Sequence, residues 1–116
     1  MHTVIRNHGR VAEIQLRGRF DLSAHRAFKA SYEIPLRQSE VDELQIDMAG
    51  VEYLDSSALG MLLILKELAG ARNKRLALVN CAGAVRRILD IANFGKLFAI
   101  RWSARSRRDP QGRAVW

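Results

Sequence analysis

A polar triplet that runs directly into a long apolar segment constrains the fold of this chain more than any other feature. Asp55, Ser56 and Ser57 are followed by Ala-Leu-Gly-Met-Leu-Leu-Ile-Leu over 58–65. The short side-chain oxygens of Asp and Ser accept the free amide protons in the first turn of a helix. We therefore predict a helix that begins within one residue of Ser56 and ends near Arg72, with one side buried in a core.

The two sides of this helix differ in a way that predicts a binding surface. At about 100° per residue, one side collects the residues expected in the core, namely Ala58, Met61, Leu62, Leu65, Leu68 and Ala69. The side around Ser56 carries small and apolar residues with a single charge: Gly60, Leu63, Ile64, Glu67 and Gly70. Because a solvated helix face normally carries several charges, we expect this second side to bind a partner protein.

Strand and helix patterns alternate along the rest of the chain. Strand patterns occur around 4–5, 12–16, 44–48, 76–79 and 97–100, and the last segment is a strand or a docked terminal piece. Turn residues over 7–9 predict a hairpin between the first two strands. Helical spacing over 24–32 and 85–92 predicts two further helices. The order β-β-α-β-α-β-α-β predicts a single small α/β domain with a mixed sheet, in which an opening hairpin is followed by parallel crossover units packed with helices.

Glycine, proline and apolar runs predict where these elements end. Pro35 is expected to end or kink the first helix near Glu33, and Gly95 to mark the end of the last helix. The Ala-Gly pair at 49–50 is expected to close the third strand. The fourth strand is apolar at every position over 76–79, so we expect helices to flank it on both faces.

Composition narrows the classes of function. The chain has 116 residues, of which 48% are hydrophobic, enough for one core. It has no apolar run near the roughly 18 residues that span a bilayer and no apolar leader at its start, so we expect a cytoplasmic protein without membrane insertion. The single cysteine, Cys81, has no Cys or His at ligand spacing, which predicts a small buried residue and no metal or cofactor.

Positive charge is concentrated at one end of the chain. The formal net charge is +7, and 101–116 contributes +4 of it through five arginines and one aspartate. This segment is polar and aperiodic, so we expect a domain over 1–100 and a basic, flexible tail over 101–116. Arginines without an ordered element that fits a groove predict no specific nucleic-acid binding.

Four motifs resemble the STAS domain of anti-sigma factor antagonists. They are Gly-Arg-Phe-Asp at 18–21, Asp-Met-Ala-Gly-Val at 47–51, Asp-Ser-Ser-Ala-Leu-Gly at 55–60 and Phe-Gly-Lys-Leu-Phe at 94–98, within a likeness that spans 3–100. The resemblance implies a non-catalytic regulator whose unphosphorylated form binds an anti-sigma factor with serine kinase activity and thereby releases a sigma factor. It also implies that phosphorylation of the serine matching Ser56 switches the regulator off, and that a PP2C-type phosphatase restores it.

Each site residue implied by the resemblance has a second interpretation. Ser56 is the expected phosphorylation site, with Ser57 as the competing acceptor, and without the resemblance Ser56 is interpreted as a helix cap. Asp55 either orients the Ser56 hydroxyl or caps the helix. Asp21 either lies beside the start of the same helix or only forms a turn. The expected partner-binding set is Asp21, Asp55, Ser56, Ser57, Gly60, Leu63, Ile64 and Glu67.

Other classes of function remain as alternatives. A hydrolase would use Ser56 as nucleophile and His25 or His8 as base, but the segment lacks the flanking glycines of a nucleophile elbow, so we expect no enzyme. A second STAS interpretation is a cytoplasmic accessory subunit of a membrane lipid or solute transporter, which docks on an ATPase through a similar helix and needs no phosphorylation. A scaffold protein of a stress-signalling assembly is a third, although such scaffolds usually have an additional N-terminal domain.

Overall fold

The computed structural model describes residues 1–102, which form strands, helices and two short 3₁₀ turns. The strands are β1 (His2–His8), β2 (Val11–Phe20), β3 (Glu43–Leu54), β4 (Arg75–Cys81) and β5 (Ala99–Trp102). The helices are α1 (His25–Arg37), α2 (Ser56–Ala71) and α3 (Gly83–Ile91), and the 3₁₀ turns are Leu22–Ala24 and Phe94–Lys96. The predicted order of strands and helices is confirmed.

The sheet has the predicted mixed topology. Its strand order is β1-β2-β3-β4-β5, with β1 antiparallel to β2 and every later pair parallel. Right-handed crossovers between successive neighbours place all the connecting helices on one face of the sheet. One end of the sheet, which we call the carboxyl edge, therefore collects the carboxyl ends of the parallel strands and the first turns of the helices. The opposite end, the amino edge, holds the hairpin and the last turns of the helices.

The core lies between the helices and one face of the sheet. Alternate residues of β2 and β3 point into it and are at most 2% exposed: Ala12, Ile14, Leu16, Leu44, Ile46 and Met48. From α2 come Ala58, Met61, Leu62, Leu65 and Ala69. Cys81 is fully buried, as predicted, and burial raises the pKa of its thiol to about 12. The thiol is therefore uncharged at neutral pH.

The prediction that helices flank β4 on both faces is wrong. Ala77, Leu78 and Val79 are all buried, but only Leu78 joins the core cluster on the helix side. Ala77 and Val79 lie on the other face, paired in the parallel ladder with Gln45 and Asp47, and no helix within residues 1–102 covers that face. The sequential strand order explains this, because it sends each right-handed crossover to the same side.

Pro35 does not end α1, which continues to Arg37. Proline lacks the amide proton that would bond to the preceding turn. However, Pro35 and Leu36 are buried against the core, and the Gln38 amide closes the helix on the Ile34 carbonyl at 3.2 Å. Packing of the last turn therefore offsets the missing hydrogen bond.

Strand β3 passes through the glycine that was expected to close it and continues to Leu54. Its register with β2 shifts twice along this second half. A Cβ on Gly50 would lie only 2.8 Å from the carbonyl oxygen of Leu16 in β2. Glycine at this position thus permits a close strand contact at a bulge, and it does not end the strand.

The last helix ends at Ile91, before the predicted Gly95. Asn93 takes the left-handed conformation, with φ 59°, that glycine often supplies after a helix, and Gly95 lies in the following 3₁₀ turn. Phe94 and Phe98 are buried and stack with their ring centroids 5.0 Å apart. This aromatic pair fixes the corner from which β5 begins, so the last segment is a strand.

The structure describes only the start of the predicted basic tail. Arg101 and Trp102 belong to β5, so the expected boundary after residue 100 falls within a strand. Residues 103–116 lie outside the described part, and a separate tail there stays a prediction. In the described residues, no helix is long and apolar enough to cross a membrane.

Candidate partner-binding site

The strand register brings two acidic residues of the predicted site to the carboxyl edge. Phe20 of β2 pairs with Leu54 of β3, and both side chains are buried. Asp21 and Asp55 are the residues that follow this pair directly. Asp55 leads into α2, and Asp21 leads into the 3₁₀ turn before α1. The two acidic residues therefore lie directly after the ends of neighbouring strands.

Asp55 caps α2. Its backbone is extended, and its Oδ1 accepts a hydrogen bond from the Ala58 amide at 3.1 Å. Ser56 is the first residue of the helix and is exposed, and its hydroxyl has no hydrogen bond with any residue of 1–102. Ser57, the competing acceptor, is half-buried. The helix start is thus explained by Asp55, and the Ser56 hydroxyl is not needed for capping.

Asp21 forms a tight turn at the same edge. Its Oδ1 accepts hydrogen bonds from the Ser23 amide, at 3.0 Å, and from the Ser23 hydroxyl. The Arg19 Nε lies 3.4 Å from the other carboxylate oxygen. These interactions, above all the bond from the Ser23 hydroxyl, lower the pKa of Asp21 below its usual value. Asp21 therefore has the turn-forming role and remains ionised at neutral pH.

An arginine–tyrosine pair, which the sequence did not reveal, borders Asp21. Arg19 and Tyr53 are partners in the β2–β3 ladder, and the guanidinium carbon lies 4.1 Å from the ring centroid. This is the geometry of a cation–π contact. It holds a positive charge beside the Asp21 carboxylate. No sequence signal predicts the pair, because it depends on the shifted register between the two strands.

The Ser56 side of α2 is exposed, as its composition predicted. Leu63 is 38% exposed and Ile64 is 54% exposed, although both are large and apolar. Glu67, the single charge of this side, is also exposed. Gly60 is half-buried, and a Cβ on it would meet no atom within 4 Å. A partner can therefore approach the helix backbone closely at this point.

Two further large apolar side chains are exposed, one on α2 and one at the carboxyl edge. Leu68, predicted in the core, is 40% exposed. It lies only about 120° from Ser56 around the helix, at the border between the two sides, so the core prediction is wrong for this residue. Leu22, in the 3₁₀ turn after Asp21, is 70% exposed. The sequence does not reveal this exposure of Leu22, because a position between two capping residues gives no information on exposure.

Neither His8 nor His25 forms a hydrogen bond with Ser56. His8 ends β1 at the amino edge, where its Nε2 lies 3.9 Å from Glu13 Oε2. His25 begins α1 and is exposed, with no described hydrogen bond to Ser56. Among residues 1–102, no three His, Cys, Asp or Glu side chains are grouped so that they could hold a metal ion.

Comparison with known proteins identifies a relative and several similar structures. A STAS-domain containing protein of Pseudomonas aeruginosa (strain UCBPP-PA14) is 45% identical over 96 residues, which are 79% of this chain and 89% of that protein. An anti-sigma factor antagonist from Mycobacterium paratuberculosis has a TM-score of 0.76 at 24% identity, with 86% of this chain and 84% of that chain covered. The Bacillus cell fate determinant SpoIIAA in its phosphorylated form has a TM-score of 0.65 at 19% identity, with 85% and 90% covered.

The two solved structures share the fold of the chain, and the family is established by sequence. The matching family model is described as Mlab, STAS domain, and it spans residues 3–100. This match includes every strand and helix of the described domain except the ends of β1 and β5. Together with the Pseudomonas relative, it leads to one conclusion: the chain belongs to the STAS domain family.

Proposed function

We propose that this protein is an anti-sigma factor antagonist that works by partner switching. Its unphosphorylated form binds an anti-sigma factor with serine kinase activity, and this binding releases a sigma factor. The observation that carries the proposal is the Ser56 hydroxyl, which is exposed at the first position of α2 while Asp55 supplies the cap. Two structural neighbours are described as an anti-sigma factor antagonist and as a phosphorylated cell fate determinant, which supports the same role.

The proposed contact surface starts at the carboxyl edge and continues along α2. It consists of the predicted set Asp21, Asp55, Ser56, Ser57, Gly60, Leu63, Ile64 and Glu67, extended by the exposed Leu22. Burial of Leu63 and Ile64 against a partner removes apolar surface from water, which favours binding. The open space at Gly60 permits the close approach that such burial requires.

Phosphorylation of Ser56 would act on the interface and leave the fold intact. A phosphoserine adds about −1.5 to −2 charges, and the free amides and dipole of a helix N-terminus tolerate them. At the interface the same charge, next to Asp55, must lose its hydration against a surface shaped for a neutral hydroxyl. An unpaired buried charge costs about 3 to 5 kcal/mol, so phosphorylation would switch binding off.

The remaining partners follow from this cycle. A PP2C-type phosphatase would remove the phosphate and restore binding. Because sigma factors and their regulators act where transcription occurs, the proposed role places the protein in the cytoplasm. The protein itself would perform no catalysis, since the phosphate is transferred by the kinase and removed by the phosphatase.

Phosphate transfer tests the proposal directly. The anti-sigma serine kinases of the source organism would be purified and each incubated with the protein and ATP, and the product would be mapped by mass spectrometry. We expect one of them to add one phosphate, at Ser56, and to act equally on Ser57→Ala. Labelling that is lost in Ser57→Ala and retained in Ser56→Ala would assign the acceptor to Ser57. Absence of labelling by every kinase would reject the switch.

A transporter accessory subunit is the second candidate function, and one observation favours it. The apolar strip formed by Leu63, Ile64 and Leu68 extends along α2 away from Ser56. Such a strip can dock on an ATPase subunit without any modification of the serine. In that case Ser56→Asp would bind the ATPase as tightly as the parent protein, whereas the proposed switch requires weaker binding.

A further inference from the structure

The amino edge, at the opposite end of the sheet from Ser56, is rich in positively charged side chains. It collects Arg10 from the hairpin, Arg37 from the end of α1, Arg72, Lys74 and Arg75 from the α2–β4 connection, and Lys96 from the α3–β5 corner. The acidic residues at the same edge are Glu40, Asp42, Asp90 in the last turn of α3, and Glu43, whose Oε1 lies 3.3 Å from the Arg75 Nε. The dipole of each helix adds a partial charge of only about −0.5 at its carboxyl end. The basic side chains of the edge still outnumber the acidic ones, six to four.

Part of this charge is used to hold the loops together. Arg10 forms a two-bond ion pair with Asp42, with one N–O distance of 2.8 Å. The Lys74 Nζ donates to the carbonyls of Gln38 and Val41, at 2.6 Å in both cases. These contacts join the hairpin, the α1–β3 loop and the α2–β4 loop. The loops of the amino edge are therefore held together by these side-chain contacts.

Three positively charged side chains of the amino edge take no part in such contacts. Arg37, Arg72 and Lys96 are exposed, and none forms an ion pair or a side-chain hydrogen bond with any residue of 1–102. They come from the ends of α1, α2 and the second 3₁₀ turn, which precede three different strands of the sheet. Their charges are therefore spread along the edge and available to an external ligand.

Large apolar side chains lie exposed between these cations. Ile91, the last residue of α3, is 81% exposed, and Leu97 is 48% exposed beside Lys96. This corner is anchored by the buried, stacked rings of Phe94 and Phe98. Because that pair already fills the core side of the corner, Ile91 and Leu97 are left pointing away from it.

We propose that the amino edge binds the surface of a bilayer that contains anionic lipid. Cations that meet lipid headgroups, combined with apolar side chains that enter the headgroup boundary, are the features that hold peripheral proteins at such surfaces. A nucleic acid would match the cations but would gain nothing from Ile91 and Leu97. In this orientation the carboxyl edge with Ser56 faces away from the bilayer, so membrane binding and partner binding can occur together. The inference does not depend on the proposed function.

Co-sedimentation of the full chain with lipid vesicles tests this inference. We expect binding to vesicles of phosphatidylglycerol and phosphatidylcholine, and much weaker binding to phosphatidylcholine alone. One cation contributes about fivefold to the binding constant at an anionic surface, so the double variant Arg72→Gln, Lys96→Gln should bind about 25-fold more weakly. Ile91→Ser should bind about tenfold more weakly, because it removes most of one inserted side chain.

Matched variants outside the amino edge provide the controls. Arg17→Gln, Arg26→Gln removes the same charge from exposed positions, and Leu22→Ser removes a similar apolar side chain. Both should bind vesicles like the parent protein, with circular dichroism confirming that all variants are folded. Equal losses in the two double variants would assign binding to net charge, including the basic residues after 102, and would overturn the proposal. Normal binding by Ile91→Ser, or tighter binding to duplex DNA than to anionic vesicles, would also overturn it.

Discussion

The two edges of the sheet are held in different ways. At the carboxyl edge, the acidic residues bond to groups two or three positions further along the chain, as Asp21 does with Ser23 and Asp55 with the Ala58 amide. At the amino edge, the bonds of Arg10 to Asp42 and of Lys74 to the Gln38 carbonyl join residues 32 and 36 positions apart. At the carboxyl edge, each turn is stabilised by its own local hydrogen bonds. At the amino edge, hydrogen bonds between distant residues connect the loops to one another.

This difference explains how one small domain can change its surface without changing its fold. The side chains of the carboxyl edge that are exposed, above all Ser56 and Leu22, take no part in bracing the domain. A modification or substitution there would leave the packing intact and, in the proposed function, would change what binds. At the amino edge, a change at Arg10 or Lys74 removes a bond between loops and lowers the stability of the fold.

Ile64→Glu at the exposed side of α2 should have the largest effect on binding. A buried carboxylate without a partner costs several kcal/mol, so we expect the affinity for the anti-sigma factor to fall by at least about a hundredfold, roughly 3 kcal/mol. Calorimetry would measure the affinity, and thermal unfolding should be unchanged. Gly60→Arg should act in the same way through bulk.

Leu62→Ala is the control for these two variants. Leu62 is fully buried, so its truncation should lower the free energy of unfolding by about 2 to 5 kcal/mol while the folded fraction binds normally. If Ile64→Glu binds as tightly as the parent protein, the binding surface is assigned to the wrong side of α2.

Lys74→Met should destabilise the fold more than the loss of a cap at the other edge. The substitution leaves the carbonyls of Gln38 and Val41 without their donor, which should cost about 1 to 3 kcal/mol of unfolding free energy. Asp55→Ala removes only a local cap and should cost about 1 kcal/mol. Urea unfolding of both variants would compare the two edges. A larger loss of unfolding free energy for Asp55→Ala would contradict the greater contribution of the amino-edge hydrogen bonds to stability.

A smaller, pH-dependent effect should distinguish the acidic residues of the two edges. The hydrogen bonds from Arg10 hold the pKa of Asp42 below its usual 3.8, so ionised Asp42 stabilises the folded state above the unfolded pKa. The stability gap between the parent and Asp42→Asn should be full near neutral pH and should shrink as the pH falls below about 4. It should also shrink with added salt, because the pair is exposed.

Asp21 provides the comparison at the carboxyl edge. Its pKa is also lowered, but mainly by the uncharged Ser23 hydroxyl. The stability gap between the parent and Asp21→Asn should therefore close at acid pH in the same direction and respond less to salt. A gap that widened on acidification in either variant would contradict the assigned interactions.

Local patterns carried most of the correct predictions. The start of α2 at Ser56 and the role of Asp55 follow from capping, which involves only a few consecutive residues. The buried alternation of β2 and the exposure of Ile64 follow from periodicity along single elements. These signals were sufficient for the order of the elements and the mixed sheet.

The errors arose where distant parts of the chain decide the outcome. Pro35 stays in a helix because the core packs against its turn, and Gly50 stays in a strand because β2 approaches it closely. The contact between Arg19 and Tyr53 depends on a register that shifts at a bulge. The exposed faces of Leu22 and Leu68 depend on which surfaces the neighbouring elements cover. A single sequence contains no direct record of such contacts.

The central claim is that the charge state of Ser56 controls partner binding, and calorimetry on a set of serine variants tests it most directly. Each variant would be titrated with the anti-sigma factor that phosphorylates the parent protein, after circular dichroism has confirmed folding. We expect Ser56→Ala to bind at least as tightly as the parent, and Ser56→Asp to bind more weakly, though less so than the phosphorylated protein, because one carboxylate carries less charge than a phosphate. Ser57→Ala should bind like the parent. Equal affinity of Ser56→Asp and the parent protein would contradict the claim.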